Sequence, residues 1–227
     1  MQSARLLGAK HRTTTRIKPV PSEKACGFPA RRGLSAAQLA AKINKMDIAA
    51  FKAFLDGHTS DQIYDRCILT GSCSAISDDA THAVRDNISQ QFSVEFANVV
   101  IVGSANLGFS IKPQKRYVVF GEESDIDVAL VCNALFERVW KEVFLFEKSG
   151  AFWPSKNDFR RYLSKGWIRP DKLPLSPIFN FSNEWWNFFR SMKITGVPYK
   201  ITGGIYHSHF FLREYQKICI EQCKLEA

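Results

Sequence analysis

The chain has 227 residues, of which 45% are hydrophobic and 13% aromatic, and a formal net charge of +9. This is enough apolar material for one domain with a sizeable core, which excludes wholesale disorder, and no apolar run approaches the roughly 18 residues of a membrane span. Six cysteines (Cys26, Cys67, Cys73, Cys132, Cys219, Cys223) form no CxxC pair, so a structural zinc site is weakly supported and the expectation is buried thiols in a reduced, cytoplasmic compartment.

The charge is uneven. Residues 1–32 carry eight basic groups and one acid, residues 33–150 eleven and fifteen, residues 151–200 nine and three, and the remainder three and three. A basic arm and a second basic block therefore bracket a mildly acidic middle, and a patch of one sign concentrates polyanions. The opening "MQSARLLGAKHRTTTRIKPV" has no acid and is rich in Arg, Ser and Thr. That composition fits a flexible basic arm over 1–33 and equally an organelle transit segment over 1–22.

From Leu34 the pattern turns helical, and residues 34–96 read as an N-terminal helical layer. "SAAQLAAKINKM" opens on Ser35 and repeats apolar residues at Leu39 and Ile43. "DIAAFKAFLDG" opens on Asp47, a capping type, carries Ile48, Phe51, Phe54 and Leu55 on one face, and stops at Gly57. "SDQIYDRCIL" and "SDDATHAVRDNISQQF" read as two more helices, each entered through Ser-Asp.

Residues 97–227 hold the chemistry. "NVVIVG" (Asn98–Gly103) reads as a buried strand, Gly103-Ser104 as the turn after it, and "SDIDVALV" (Ser124–Val131) as a second strand. The side-chain period of a strand is two, so Asp125 and Asp127 share a face, and Ile126 and Val128 point into a core from the other. Two carboxylates side by side are expensive unless a cation joins them. Mg²⁺ or Mn²⁺ accepts such oxygen ligands together with substrate phosphates, and a Gly-Ser turn lets backbone N–H groups and a hydroxyl meet phosphate oxygens. "NALFERVWKEVFLFEK" follows as a helix.

An apolar strand, Gly-Ser, a spacer and then Asp-h-Asp-h resembles the nucleotidyltransferase superfamily of DNA polymerase β, CCA-adding enzymes, aminoglycoside nucleotidyltransferases and the minimal enzymes of bacterial toxin and antiviral defence systems. The resemblance covers roughly Val99 to Trp140. It implies an α+β nucleotidyltransferase fold: a small mixed β-sheet flanked by helices. It also implies Asp125 and Asp127 as catalytic metal ligands. Gly103, Ser104, Gly108, Ser110 and Ser124 would then form the nucleotide-binding set, and the activity would be transfer of an NMP from a nucleoside triphosphate to an acceptor hydroxyl on RNA, tRNA included, or on a protein. A degenerate member of the same fold would bind nucleotide or a partner without turnover.

Two departures stand out. Twenty residues separate Ser104 from Asp125, about twice the family's habit. The excess carries Lys112, Lys115 and Arg116, which read either as cations closing over a triphosphate or as a solvated loop. The family also adds a third carboxylate from a later strand, whereas the best later strand, "PYKITGGIYHSH" (Pro198–His209), has none. Asp158, Asp171 and Glu184 are the alternatives, or the group is absent. His207 and His209, which share a strand face in this reading, offer a general base or merely structural contacts.

The second basic block interleaves Trp153, Phe159, Tyr162 and Trp167 with Arg160, Arg161, Lys165 and Arg169. It reads either as an RNA surface using stacking and backbone neutralisation or as an amphipathic helix that buries its rings. "FNFSNEWWNFFRSMKI" reads as a helix capped by Ser182 with Trp185, Phe188, Phe189 and Met192 in the core. "HFFLREYQKICIEQCKLE" closes the chain as a last helix, with Cys219 and Cys223 on its packing stripe.

Overall fold

A computed structural model describes residues 46–226, which belong to one compact unit, Asn44–Ala227. The basic arm and all of the first expected helix except Met46 lie outside the described residues.

The next three expected helices form. Asp47 caps α1 (Ile48–Gly57) by accepting the Ala50 N–H at 2.7 Å, and Phe51 and Leu55 are its buried stripe. The short α2 (Ser60–Ile63) starts one residue earlier than the Ser-Asp pair suggests. Thr59 is the cap and forms a reciprocal box with Gln62, which satisfies two orphan backbone donors at once. α2 then widens into a π-turn over Tyr64–Leu69. α3 (Asp78–Phe92) is capped by Ser77 and buries Val84, Ile88 and Phe92.

β1 (Val99–Val102) runs through Gly103 into α4, a single turn at Ser104–Leu107. The long spacer is an ordered return: Ser110 N–H donates to the Val118 carbonyl at 2.9 Å, Tyr117 N–H to the Ser110 carbonyl at 2.7 Å, and Phe109 bridges Val119. β2 (Ile126–Val131) leads directly into α5 (Asn133–Lys148). α6 (Lys156–Leu163) precedes β3 (Trp167–Ile168), a two-residue strand too short to carry a period in the sequence. α7 (Asn180–Ser191) has Phe179 at its N-cap position, so Ser182 sits inside the helix, buried, rather than capping it. β4 (Ile201–Tyr206) and α8 (His209–Lys224) complete the unit. The expected histidine pair does not share a strand, because β4 ends at Tyr206 and His209 is the first residue of α8.

The sheet order is β1-β2-β4-β3. β1 lies antiparallel to β2, β2 parallel to β4, and β3 antiparallel to β4. The architecture is therefore α+β with a mixed sheet between helices. One face, with Ile126, Val128 and Leu130, packs against Ile88 of α3, Val139 and Val143 of α5, and Trp185 and Phe189 of α7. The other, with Ala129 and Val131, packs against Phe51 and Leu55 of α1 and Leu212 and Ile220 of α8. Burial on both faces explains why β1 and β2 read as continuous apolar runs. The lone polar residue of β2, Asp127, marks where the second face stops being core. No helix among the described residues is long and apolar enough to cross a membrane.

Candidate functional site

The register places the acidic pair. Asp127 stands opposite Val102 of β1 and Thr202 of β4, so it lies where β1 ends and where β2 and β4 begin. Asp125 sits just ahead of β2, beside Lys200 just ahead of β4, and the Ile126 N–H donates to the Lys200 carbonyl at 2.8 Å. The turn that leaves β1 therefore meets Asp127 directly. Gly103 has φ +71°, and a Cβ there would lie 3.2 Å from Asp127 Oδ2. Only glycine takes that backbone conformation without strain and also lets the carboxylate approach this closely.

Each carboxylate has charged company. Asp127 Oδ1 accepts the Thr202 hydroxyl at 2.9 Å, and its Oδ2 lies 3.6 Å from Lys112 Nζ. Asp125 Oδ2 lies 3.5 Å from Lys200 Nζ. The two lysine side chains are 58% and 71% exposed, so both are free to exchange a carboxylate for a phosphate at small cost. Among the described residues, no group of three or more His, Cys, Asp or Glu side chains stands close enough to hold a metal. The donor set available to a cation here is the two aspartates, hard oxygen ligands that suit Mg²⁺ when substrate phosphates supply the rest.

These groups line a cleft of about 1130 Å³. Of the residues expected at the site, Asp125, Asp127, Gly103, Ser104, Ser110, Ser124, Lys112 and Lys115 line it. Ser110 is buried, its Oγ accepting the Lys112 N–H at 3.2 Å, and Ser124 Oγ accepts the Gly121 N–H at 3.2 Å. The cleft does not include Gly108 or Arg116. Gly108 closes α4 at φ +87° and its carbonyl accepts the Phe120 N–H at 2.9 Å, which ties the spacer back to the turn. Arg116 is turned onto Glu226.

The alternatives for a third carboxylate fall in different places. Asp171 lines the same cleft, forked by Arg169 at 2.9 and 3.0 Å and paired with Lys172 at 3.2 Å. Burial works against its charge, but the hydrogen bonds and charge of Arg169, with Lys172, hold the carboxyl below the ordinary range. Asp158 pairs with Arg161. Glu184 pairs with Arg138 and borders a separate open depression of about 680 Å³ beside Asn187 and Arg190. The position beside Asp127 on β4 belongs to Thr202. His207 and His209 lie at the far end of β4, held by Asn133 at 2.7 Å and by Asn98 at 3.0 Å.

The basic block is mostly internal bookkeeping of charge. Arg160 and Lys156 meet Glu147, Arg161 meets Asp158, and Arg169 meets Asp171 and the Tyr162 hydroxyl. Trp153 and Phe159 are core. Lys165 is exposed and has no such partner among the described residues. Two cleft residues, Lys200 and Thr202, carry signals that sequence reading passed over, and a third, Trp167, was read only as part of the basic block. Lys200 precedes β4 as Asp125 precedes β2, so a parallel pairing of the two strands sets them side by side. Thr202 follows from the same register. Trp167 lies on a strand of two residues, which has no readable pattern.

Comparison with protein-family models, with curated proteins and with solved structures returns no match for this chain.

Proposed function

We propose that the protein is a nucleotidyltransferase that moves an NMP from a nucleoside triphosphate to an acceptor hydroxyl. The observation that carries this reading is the meeting of Asp125 and Asp127 with the Gly103-Ser104 turn in a cleft that also holds Lys112, Lys115 and Lys200. Gly103 and Ser104 hold the β- and γ-phosphates by backbone N–H groups and the serine hydroxyl. Lys112 and Lys200 leave the carboxylates for phosphate oxygens as the nucleotide enters, and Lys115 adds a third positive charge to the approach. Asp125 and Asp127 would hold Mg²⁺ or Mn²⁺, which would supply electrostatic alignment of the phosphates and neutralisation of the leaving pyrophosphate. Thr202 fixes the rotamer of Asp127 by its hydrogen bond. The preferred acceptor is RNA, supported by the net charge of residues 151–200. Lys165, Arg190 and Lys193 are the cations of that block without an acidic partner among the described residues.

A second reading is favoured by one feature. Thr202 occupies the strand position next to Asp127, which supports a module that binds nucleotide without turnover. Incubation with each labelled NTP, Mg²⁺ and total RNA or candidate proteins separates the two, with Asp125→Ala/Asp127→Ala as the control. Label transfer that the double variant abolishes supports the transferase. Nucleotide binding with no labelled acceptor supports the binding module.

A further inference from the structure

The cleft runs well beyond the acidic pair. From Asp127 it follows the same face of β4 past Thr202 and Gly204 to Tyr206, against which Trp167 stacks, and Tyr215 and Gln216 of α8 also line it. Gly204 has no side chain to fill the passage, and a Cβ there would stand 2.5 Å from Trp167 Nε1. The Trp167 ring stacks on Tyr206, with centroids 5.4 Å apart and planes 6° apart. Four strand rises separate the backbone positions of Thr202 and Tyr206, about 13 Å. That span is comparable to the one between the phosphates of a nucleotide and the hydrogen-bonding edge of its base.

This inner end holds polar groups with nothing to bond. Gln216 is 8% exposed, in the middle of the α8 face that meets the sheet, and its amide makes no hydrogen bond among the described residues. Trp167 Nε1 is buried and likewise unpaired. Leaving a buried indole N–H unsatisfied is costly, and Trp167 and Gln216 both line a space large enough for a ligand. Burial, then the neighbouring Tyr215 and Asp127, push the Tyr206 phenol well above its usual range, so it is a neutral O–H donor at neutral pH.

We propose that this inner end is the nucleobase subsite and that it selects adenine. The inference rests on the nucleotidyltransferase reading and names its substrate. A glutamine amide offers an acceptor and a donor side by side, which match the N6 amino group and N7 of adenine. The Trp167 N–H and the Tyr206 hydroxyl are further donors for the remaining ring nitrogens. Guanine presents N1–H and N2–H donors and needs a strong acceptor in return. The acid at this end of the cleft, Asp171, already has both oxygens engaged by Arg169.

Calorimetric titration of the full chain tests this with ATP, GTP, CTP and UTP in Mg²⁺, and with Mg²⁺–tripolyphosphate, which has no base. The expected result is ATP binding about tenfold tighter than each other nucleotide, the scale of one bidentate amide–base pair. Gln216→Met should bring the four within about twofold and leave tripolyphosphate binding unchanged. Trp167→Phe, which keeps the stacked ring and removes the N–H, should weaken ATP and again spare tripolyphosphate, and it carries the comparison alone if Gln216→Met does not fold. Equal affinity for all four nucleotides, preference for GTP, CTP or UTP, or an ATP preference that both variants retain overturns the subsite while tripolyphosphate binding preserves the phosphate site. No binding of tripolyphosphate or of any nucleotide overturns the transferase reading and the subsite together.

Discussion

Thr202 donates its hydroxyl to Asp127 Oδ1 at 2.9 Å, across the parallel pairing that sets the two residues side by side on β4 and β2. A carboxylate at position 202 would add a third acid beside the pair, and the hydroxyl there instead steadies Asp127. Thr202→Asp therefore tests whether the site is built around a metal. Without divalent cations, the added charge beside Asp127 lowers Tm by roughly 3 °C, the shift that about 1 kcal/mol makes in a domain of this size. Millimolar Mg²⁺ then raises the Tm of the variant more than that of the wild type. A thermal scan of both proteins with and without Mg²⁺ reads this directly, and equal responses to Mg²⁺ would remove the cation from the site.

Gly103 is the second element that the acidic pair requires. Its φ of +71° strains any L side chain, and its Cβ would stand 3.2 Å from Asp127 Oδ2. Gly103→Ala should cost about 1–3 kcal/mol in urea denaturation. It should also weaken Mg²⁺–tripolyphosphate binding, because the turn and the carboxylate can no longer approach. Gly121, with open space around its Cβ position and an ordinary φ, is the control. Gly121→Ala leaves stability within about 0.5 kcal/mol of wild type.

The elements that positioned this site were legible where the chain repeats. Asp47 and Ser77 announced α1 and α3, and the run Asn133–Lys148 matched α5 residue for residue. Asp125 and Asp127 stood out because they interrupt an apolar strand. What could not be read was set by pairing rather than pattern. Sheet register decides that Lys200 faces Asp125 and Thr202 faces Asp127, and register is a tertiary property. Arg116 illustrates the same limit: its position in a basic loop suggests phosphate, yet the chain end brings Glu226 to it. The aromatics of the second basic block divided likewise, since Trp153 and Phe159 went to the core while Trp167 was carried to the cleft by its pairing with Tyr206.

Neutralising the acidic pair should separate chemistry from stability. The side chains of Asp125 and Asp127 are 42% and 39% exposed, and their lysine partners are more exposed still. Ion pairs of this kind contribute about 0–1 kcal/mol. Asp125→Asn and Asp127→Asn are therefore expected to unfold within about 1 kcal/mol of wild type. Under the proposed function, NMP transfer by these variants should fall about a hundredfold or more, since a bound metal's stabilisation of the transition state would be worth several kcal/mol and each 1.36 kcal/mol is tenfold. Urea melts and label transfer on the same preparations check both halves. A loss of stability that tracks the loss of transfer would mean that the pair is structural.

Acid should weaken the wall of the cleft at Arg169 and Asp171. Arg169 forks Asp171 through two hydrogen bonds, at 2.9 and 3.0 Å, and also donates to the Tyr162 hydroxyl at 3.0 Å. The carboxyl of Asp171 is held below its ordinary range in the folded protein, against the opposing pull of burial. A depressed carboxyl binds its proton less readily folded than unfolded. Its contribution to stability is thus fully present above the unfolded value, near 4, and is lost as pH falls through the lower folded value. Because Asp171 is 41% exposed, screening holds that contribution to about 1 kcal/mol or less. Asp171→Asn removes the charge, so the gap between the urea midpoints of wild type and variant should be constant from pH 7 down to about 5. It should narrow progressively below pH 4. A gap that stays unchanged into strong acid would show that the fork, though well formed, contributes no linked stability to the wall that carries Trp167.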